Sequence, residues 1–190
     1  MTTKRLLVLA FVLALGAYFR FYLITEMPGG LFPDEAANGL DIISMQRGDL
    51  QPFYERGNGR EALFFYMLWG SITVFGKGPW QHHIVSALVG LVSVLLCFLI
   101  TRRLLRGDGP EPEAGAEPTA LLAAFLMAVS SWHVVLSRTA FRANTVPLIA
   151  GLVVYFFLCS RQAATVGKRL LFSALAGASL ALGFYTYISF

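Results

Sequence analysis

The chain has 190 residues, of which 56% are hydrophobic and only 14% are charged, and its formal net charge is +4. Because soluble domains carry about 25% charged residues, this composition excludes an ordinary soluble domain and indicates an integral membrane protein. The basic residues stand in small groups between apolar runs, which argues against a nucleic-acid partner.

Apolar runs of about 17 to 25 residues are long enough to cross a bilayer as helices. By this criterion the chain is predicted to have five spans, at residues 6–25, 81–101, 119–137, 144–160 and 170–189. The first run could be a signal peptide, but it continues to Tyr22 without a good cleavage site, which favours an uncleaved anchor. The apolar segment 62–76 is short for a span, so we expect it to lie in the membrane interface.

The distribution of Lys and Arg predicts the orientation, because these residues accumulate in cytoplasmic loops. If the N-terminus is cytoplasmic and 62–76 does not cross, the inner segments hold eight basic residues and the outer segments hold six. If 62–76 does cross, the inner segments hold five and the outer segments nine. We therefore predict a multi-pass protein of the cell membrane with a cytoplasmic N-terminus and a long outer loop at 26–80. The Pro, Gly and Glu composition of 107–118 predicts a flexible cytoplasmic linker.

The carboxylates are confined to two parts of the chain. Seven of the eleven Asp and Glu residues lie between residues 26 and 61, and the other four lie between residues 108 and 117. The first group includes the adjacent pair Asp34 and Glu35, shortly after the first predicted span. Acid–base or metal chemistry, if the chain performs it with carboxylates, is therefore expected between residues 26 and 61.

Polar and apolar residues alternate at helical spacing after Pro33. Asp34, Asn38 and Asp41 share one face, which predicts an amphipathic helix at 34–46 on the membrane surface. Asp34 could simply cap this helix while Glu35 interacts with its positive end, or the pair could be catalytic, and the residues alone leave both interpretations open.

Cations and possible metal ligands also have alternative explanations. Arginines in or near the outer segments can bind an anionic substrate with paired hydrogen bonds, or they can reach lipid headgroups. The histidines and cysteines lack the spacing of a metal site, which favours interfacial or packed side chains. The residues concerned are Arg20, Arg60, Arg138, Arg142, His82, His83, His133, Cys97 and Cys159.

A set of short motifs occurs in a fixed order along the chain. They are Phe32-Pro-Asp-Glu-Ala-Ala-Asn-Gly-Leu-Asp41, Gly59-Arg-Glu-Ala-Leu-Phe-Phe-Tyr66, Phe75-Gly76, Val85-Ser-Ala-Leu-Val-Gly90, Ser131-Trp-His-Val-Val-Leu-Ser-Arg138, Phe141-Arg-Ala-Asn144 and Tyr185-Thr-Tyr187. This order resembles the polyprenyl-phosphate-sugar-dependent glycosyltransferases of the GT-C fold, such as protein O-mannosyltransferases, lipid A aminoarabinose transferases and bacterial glycosyltransferase family 39. One departure is Arg60-Glu61-Ala62, where many relatives have Lys-Pro-Pro or Arg-Glu-Pro.

The resemblance implies an all-α integral membrane protein, a GT-C-like multi-span bundle with juxtamembrane helices in the first outer loop. Enzymes of this kind are much longer, so we expect the chain to be an N-terminal part that is inactive alone. The implied activity moves a hexose or pentose from a polyprenyl-phosphate donor to a hydroxyl or similar group of a protein, lipid or glycan. Transfer is expected on the extracytoplasmic face, with inversion.

The resemblance also implies roles for individual residues. Asp34 is the expected base that activates the acceptor, and Glu35 is expected to orient Asp34 or contact substrate. No metal-ligand residue and no certain cofactor is predicted, and a requirement for a divalent metal ion stays open. Candidates for binding the substrate and its phosphate are Arg60, Glu61, Arg138, Arg142, Tyr185 and Tyr187.

Two other classes of function are compatible with the composition. A transporter or lipid flippase subunit would carry ionisable groups along a path inside its spans. The predicted spans contain almost none apart from Arg20, Arg138 and His133, which argues against ion coupling. A non-catalytic membrane scaffold would not require an acidic outer loop.

Overall fold

The computed structural model describes residues 2–56, 59–106, 115–187 and 190, and over these residues the protein is almost entirely helical. This confirms the all-α class. The only strands among these residues form a short antiparallel hairpin, with Phe53 opposite Glu61 and Tyr54 opposite Arg60. The elements are α1 (Thr3–Phe21), α2 (Pro33–Gln46), β1 (Phe53–Tyr54), β2 (Arg60–Glu61), α3 (Leu63–Phe75), α4 (Pro79–Arg106), α5 (Ala116–Val129), α6 (Ser131–Arg138), a 3-10 turn (Arg142–Asn144), α7 (Thr145–Arg161) and α8 (Val166–Gly183).

In the part of the chain that the structure describes, three helical stretches are long and apolar enough to cross a membrane. They are α4, the stretch Arg142–Arg161 and α8, and α5 with α6 would make a fourth despite a 57° bend between them. The predicted span 6–25 is not among these candidates, because α1 includes three basic residues in only 19. It also ends at Phe21 rather than residue 25, since Leu23 adopts a positive φ of 52° that a helix cannot contain.

The predicted linker at 107–118 is too long at its C-terminal end. Helix α5 begins at Ala116, and Pro118 fits its first turn, where a backbone N–H has no helical partner to lose. Glu117 is buried between Arg5 of α1 and Arg102 of α4, so tertiary ion pairs override the loop-like composition. Residues 107–114 lie outside the described residues.

The helices run between two ends of the bundle. At the basic end, Arg5 and Arg102 meet Glu117. At the opposite end, which we call the site end, Arg20 of α1 lies against Gly90 in the first half of α4 and donates to the carbonyl of Ala128 in α5. The segment 22–78, which includes α2 and α3, therefore starts and finishes at the site end.

Two apolar clusters hold this arrangement. Alanines at every fourth position of α5 allow α1 and α4 to approach closely, as small residues do in membrane bundles. At the site end, Phe64, Phe65 and Leu68 of α3 are completely buried beneath α2 and α4. Burial of each of these side chains contributes roughly 1.5–3 kcal/mol to the free energy of folding. Helix α3 is therefore a stable support for the elements that pack around it.

Candidate active site

Helix α2 starts where local signals predict it and is then fixed by one buried carboxylate. Pro33 occupies the first helical position, and the N–H of Phe32 donates to Oε2 of Glu35 at 2.8 Å. The other oxygen, Oε1, accepts the N–H of Ala140 at 2.6 Å, and Nε2 of His83 lies 3.5 Å from Oε2. Glu35 therefore joins α2 to α4 and to the chain after α6.

These contacts keep Glu35 ionised. Burial alone raises the pKa of this carboxyl, but the neighbouring His83 imidazole and the hydrogen bonds from the N–H groups of Phe32 and Ala140 outweigh it, and the net pKa is lowered. Both oxygens are occupied as acceptors, so Glu35 holds structure together rather than offering a free base.

The neighbouring carboxylate, Asp34, is exposed and borders a cleft of about 140 Å³ at the site end. Among the residues that the structure describes, its side chain makes no hydrogen bond or ion pair. It is also the only described carboxylate that lines the cleft. The lining residues are Asp34, Asn38, Arg60, Ala140, Phe141, Arg142 and Tyr187.

Arg60 presents one fixed cation to this cleft. It is only 6% exposed, and its Nη1 donates to Oδ1 of Asn38 at 2.6 Å. The same Nη1 lies 3.8 Å from Oδ2 of Asp41, whose other oxygen accepts from Nε of Arg56 at 2.8 Å. Asp41 is thus shared by two arginines and offsets only part of their charge. The position of Asn38 and Asp41 on one helical face is what orients Arg60.

Arg142 presents the second cation, from the 3-10 turn. Its Nη1 donates to Oε2 of Glu61 at 2.5 Å, and the guanidinium lies 5.9 Å from the ring centroid of Phe65 and 5.4 Å from that of Tyr187. The hydroxyl of Thr145 donates to the carbonyl of Arg142 at 2.6 Å and fixes the turn. A guanidinium has five N–H donors, so Arg60 and Arg142 retain donors for an anion in the cleft.

The other candidate residues lie elsewhere. Arg138 donates to the carbonyls of Phe19, Arg20 and Met27 at 3.1, 3.2 and 2.7 Å, and it does not line the cleft. It cannot pair with Arg142 on one helical face, because α6 ends at Arg138 and Thr139 is extended. Tyr185 borders a separate apolar groove. Glu61 lies behind Arg142 as its ion-pair partner rather than in the cleft lining.

Arg20 is a structural residue of the bundle interior. It is completely buried, and its Nη1 donates to the carbonyls of Gly16 and Ala128 at 2.9 and 3.1 Å. Its Nη2 donates to Nδ1 of His133 at 2.6 Å. The interpretation that Arg20 reaches lipid headgroups is therefore wrong. The contact with Arg20 also explains His133, which the sequence predicts to be an interfacial or packed side chain.

Asn38 and His83 contribute to the site but were not among the predicted site residues. Asn38 had a detectable signal, because it lies one helical turn after Asp34. His83 had none, since its partner Glu35 precedes it by 48 positions. In the described part of the chain, no group of three or more His, Cys, Asp or Glu side chains could hold a metal ion.

Comparisons with known proteins add one finding to this geometry. Neither the curated proteins nor the solved structures give a match. The family model for dolichyl-phosphate-mannose-protein mannosyltransferase matches residues 62–189. Arg142 and Tyr187 lie inside the matched range. Asp34 lies before it in the chain, but the fold places Asp34 in the same cleft as these two residues. Because the match covers more than half of the chain, the protein belongs to the dolichyl-phosphate-mannose-protein mannosyltransferase family, which consists of membrane glycosyltransferases of the GT-C type.

Proposed function

We propose that the chain supplies the catalytic cleft of an enzyme that moves a sugar from a polyprenyl-phosphate donor to a hydroxyl of a protein, lipid or glycan acceptor. One observation carries the proposal: Asp34, a carboxylate with no partner among the described residues, lines the same cleft as Arg60 and Arg142. A base beside two cations suits a reaction in which one oxygen loses a proton and another gains negative charge.

The proposed step is a single displacement at the anomeric carbon of the donor sugar. Asp34 accepts the proton of the acceptor hydroxyl, and the acceptor oxygen forms a bond to the anomeric carbon. The bond between that carbon and the phosphate oxygen breaks, and its electron pair stays on the phosphate. Arg60 and Arg142 stabilise the departing phosphate with charge-assisted hydrogen bonds. Attack from the side opposite the phosphate inverts the anomeric carbon.

Glu35 takes a positioning role in this mechanism. The hydrogen bond from the N–H of Ala140 to Glu35 holds α2 against the chain at Ala140, which itself lines the cleft. Asp34 is the preceding residue of the same helix, so its place in the cleft depends on this attachment. Asn38 and Glu61 hold the two arginines in a similar way.

We further propose that the site end faces the extracytoplasmic side. The basic end carries the residues expected in the cytoplasm, including Arg5 and Arg102. At the site end, α3 is an apolar helix too short to span, with Val74 74% exposed and Phe75 51% exposed. Such a helix suits the membrane interface, where a donor's phosphate can reach the cleft while its polyprenyl chain remains in lipid.

The test is transfer from a radiolabelled polyprenyl-phosphate sugar by the full-length enzyme in membranes. We expect Asp34→Asn to lower the rate by about a hundredfold or more, since general bases contribute roughly 10² to 10⁴. Glu26→Gln is the matched control, because Glu26 is an exposed carboxylate of the same loop that does not line the cleft. Transfer by Asp34→Asn at the wild-type rate, with equal protein abundance, would exclude Asp34 as the base.

The same membranes distinguish the main alternative. A lipid flippase would move the labelled donor between leaflets without transferring its sugar. Absence of transfer with several donors and acceptors, together with donor movement that depends on the protein, would favour that function over a transferase.

A further inference from the structure

A second polar cleft lies at the basic end, far from Asp34. It has a volume of about 110 Å³ and lies between the last turns of α4 and the end of α7. Three of its six lining residues are arginines, and one is apolar. The lining residues are Leu99, Arg102, Arg103, Arg106, Tyr155 and Gln162. The proposed transfer reaction uses none of them.

Arg103 is held in place before any ligand binds. Its Nη1 donates to Oε1 of Gln162 at 3.1 Å, and Nε2 of Gln162 donates to the carbonyl of Arg103 at 3.1 Å. The guanidinium also lies over the ring of Tyr155, 5.1 Å from its centroid. These contacts order the side chain and leave several N–H donors for an anion.

Among the described residues, the charge around this cleft is not balanced. Arg102 pairs with Glu117 at 3.2 Å, but Glu117 also pairs with Arg5. Arg106 is exposed and makes no hydrogen bond or ion pair with any residue that the structure describes. Arg103 has a neutral amide and an aromatic ring as partners, and no carboxylate of the described residues pairs with it.

The surroundings favour a lipid as the source of the anion. Apolar side chains on the same two helices are open to the outside, with Leu104 63% exposed on α4 and Phe157 56% exposed on α7. A phosphate bound between the arginines would therefore have acyl chains beside exposed apolar surface. Anionic lipids are also enriched at the cytoplasmic surface, where the basic residues at this end are expected to lie.

We propose that this cleft binds the phosphate headgroup of an anionic membrane lipid, with Arg103 and Arg106 as its principal ligands and Arg102 at its edge. The bound lipid would connect α4 to α7 at the end of the bundle opposite the catalytic cleft. This site requires no transferase activity, so it can be tested whether or not the proposed function is correct.

The experiment measures lipid binding to the purified full-length protein by native mass spectrometry. The probes are phosphatidylglycerol and phosphatidylcholine with identical acyl chains. We expect phosphatidylglycerol to bind more tightly, and the double variant Arg103→Gln/Arg106→Gln to weaken its binding by roughly twentyfold, since each basic residue near a membrane surface contributes about fivefold. Excess sodium phosphate should displace little of the lipid.

Lys168→Gln/Arg169→Gln is the matched control. It removes the same charge from exposed residues at the start of α8 that do not line the cleft. Equal weakening by both double variants, or equal binding of both lipids, would overturn the proposal. Full displacement by sodium phosphate would indicate a site for free anions instead. If the Arg103 variant does not fold, Arg106→Gln alone should still weaken binding about fivefold, and unchanged binding would count against the site.

Discussion

Replacing Glu35 by glutamine tests how the catalytic cleft is built. The substitution keeps the size of the side chain but removes its charge and replaces one acceptor oxygen with an NH₂ group. In the wild-type protein, the two oxygens accept N–H groups of Phe32 and Ala140 at 2.8 and 2.6 Å. Glutamine can preserve only one of these bonds, and its NH₂ group then faces a second donor.

The expected loss follows from these contacts. A hydrogen bond to a charged group contributes about 1.5–3 kcal/mol, and an unsatisfied buried donor costs about 1–3 kcal/mol. The two effects concern the same N–H and do not add fully. We therefore expect Glu35→Gln to lower the free energy of unfolding by about 3 kcal/mol, and to lower transfer as well because Asp34 moves with α2.

The assay is reversible unfolding in mixed detergent micelles, with Glu55→Gln as the control. Glu55 is an exposed carboxylate of the same loop, and its replacement should change the free energy of unfolding by less than about 0.5 kcal/mol. If Glu35→Gln is as stable as this control, the claim that Glu35 fixes α2 against the chain at Ala140 is refuted.

The pH dependence of the difference in free energy of unfolding between wild type and Glu35→Gln is a further check. Because the pKa of Glu35 is lowered by folding, its stabilisation is complete above the ordinary carboxyl value of about 4.5. It is lost as the pH falls through the folded pKa. The difference in stability between wild type and Glu35→Gln should therefore be constant near neutral pH and shrink only below about pH 4.5.

Two other predictions concern residues that resemble one another in sequence but not in environment. Arg142→Gln should lower transfer by about a hundredfold, whereas Arg138→Gln should lower the free energy of unfolding by about 1–3 kcal/mol, because three carbonyls lose their donor. Gly90→Ala should destabilise the protein by about 1–3 kcal/mol, since its methyl group would overlap the Ser137 hydroxyl. Gly177→Ala faces open space and should be stabilising by about 0.5–1 kcal/mol.

The measurements are sugar transfer and unfolding in micelles, made on the same preparations. If the two arginine variants are equally stable and lose transfer equally, Arg138 also takes part in substrate binding or transfer. Equal stability of the two alanine variants would mean that α4 and α6 are packed less closely at Gly90 than the structure indicates.

Some of the fold could be predicted because its causes are local. Helix α2 begins at Pro33, within one residue of the predicted start, because proline and the acidic first turn are local start signals. It ends at Gln46, the predicted last residue. One of the two interpretations of the carboxylate pair made Asp34 the cap of this helix. Glu35, rather than Asp34, accepts the N–H of Phe32, and the side chain of Asp34 has no partner among the described residues.

Other features depend on contacts between distant residues. The bend between α5 and α6 occurs at Ser130, where neither glycine nor proline marks it. The sequence predicts a single span there, at 119–137. The buried Arg20 helps to explain the break, because its guanidinium donates to the carbonyl of Ala128 on one side of the break and to Nδ1 of His133 on the other. The bond from Ala140 to Glu35 likewise joins residues that are 105 positions apart.

The buried position of Arg20 has a consequence for how the protein is made. Its partners Ala128 and His133 come 108 and 113 residues later in the chain, so α1 leaves the ribosome long before they exist. Until then the guanidinium has only the carbonyl of Gly16 within its own helix, and a charge in that state is costly inside lipid. Stable packing of α1 is therefore expected to wait for α5 and α6, so that α1, although it is synthesised before them, reaches its final place in the bundle only after them.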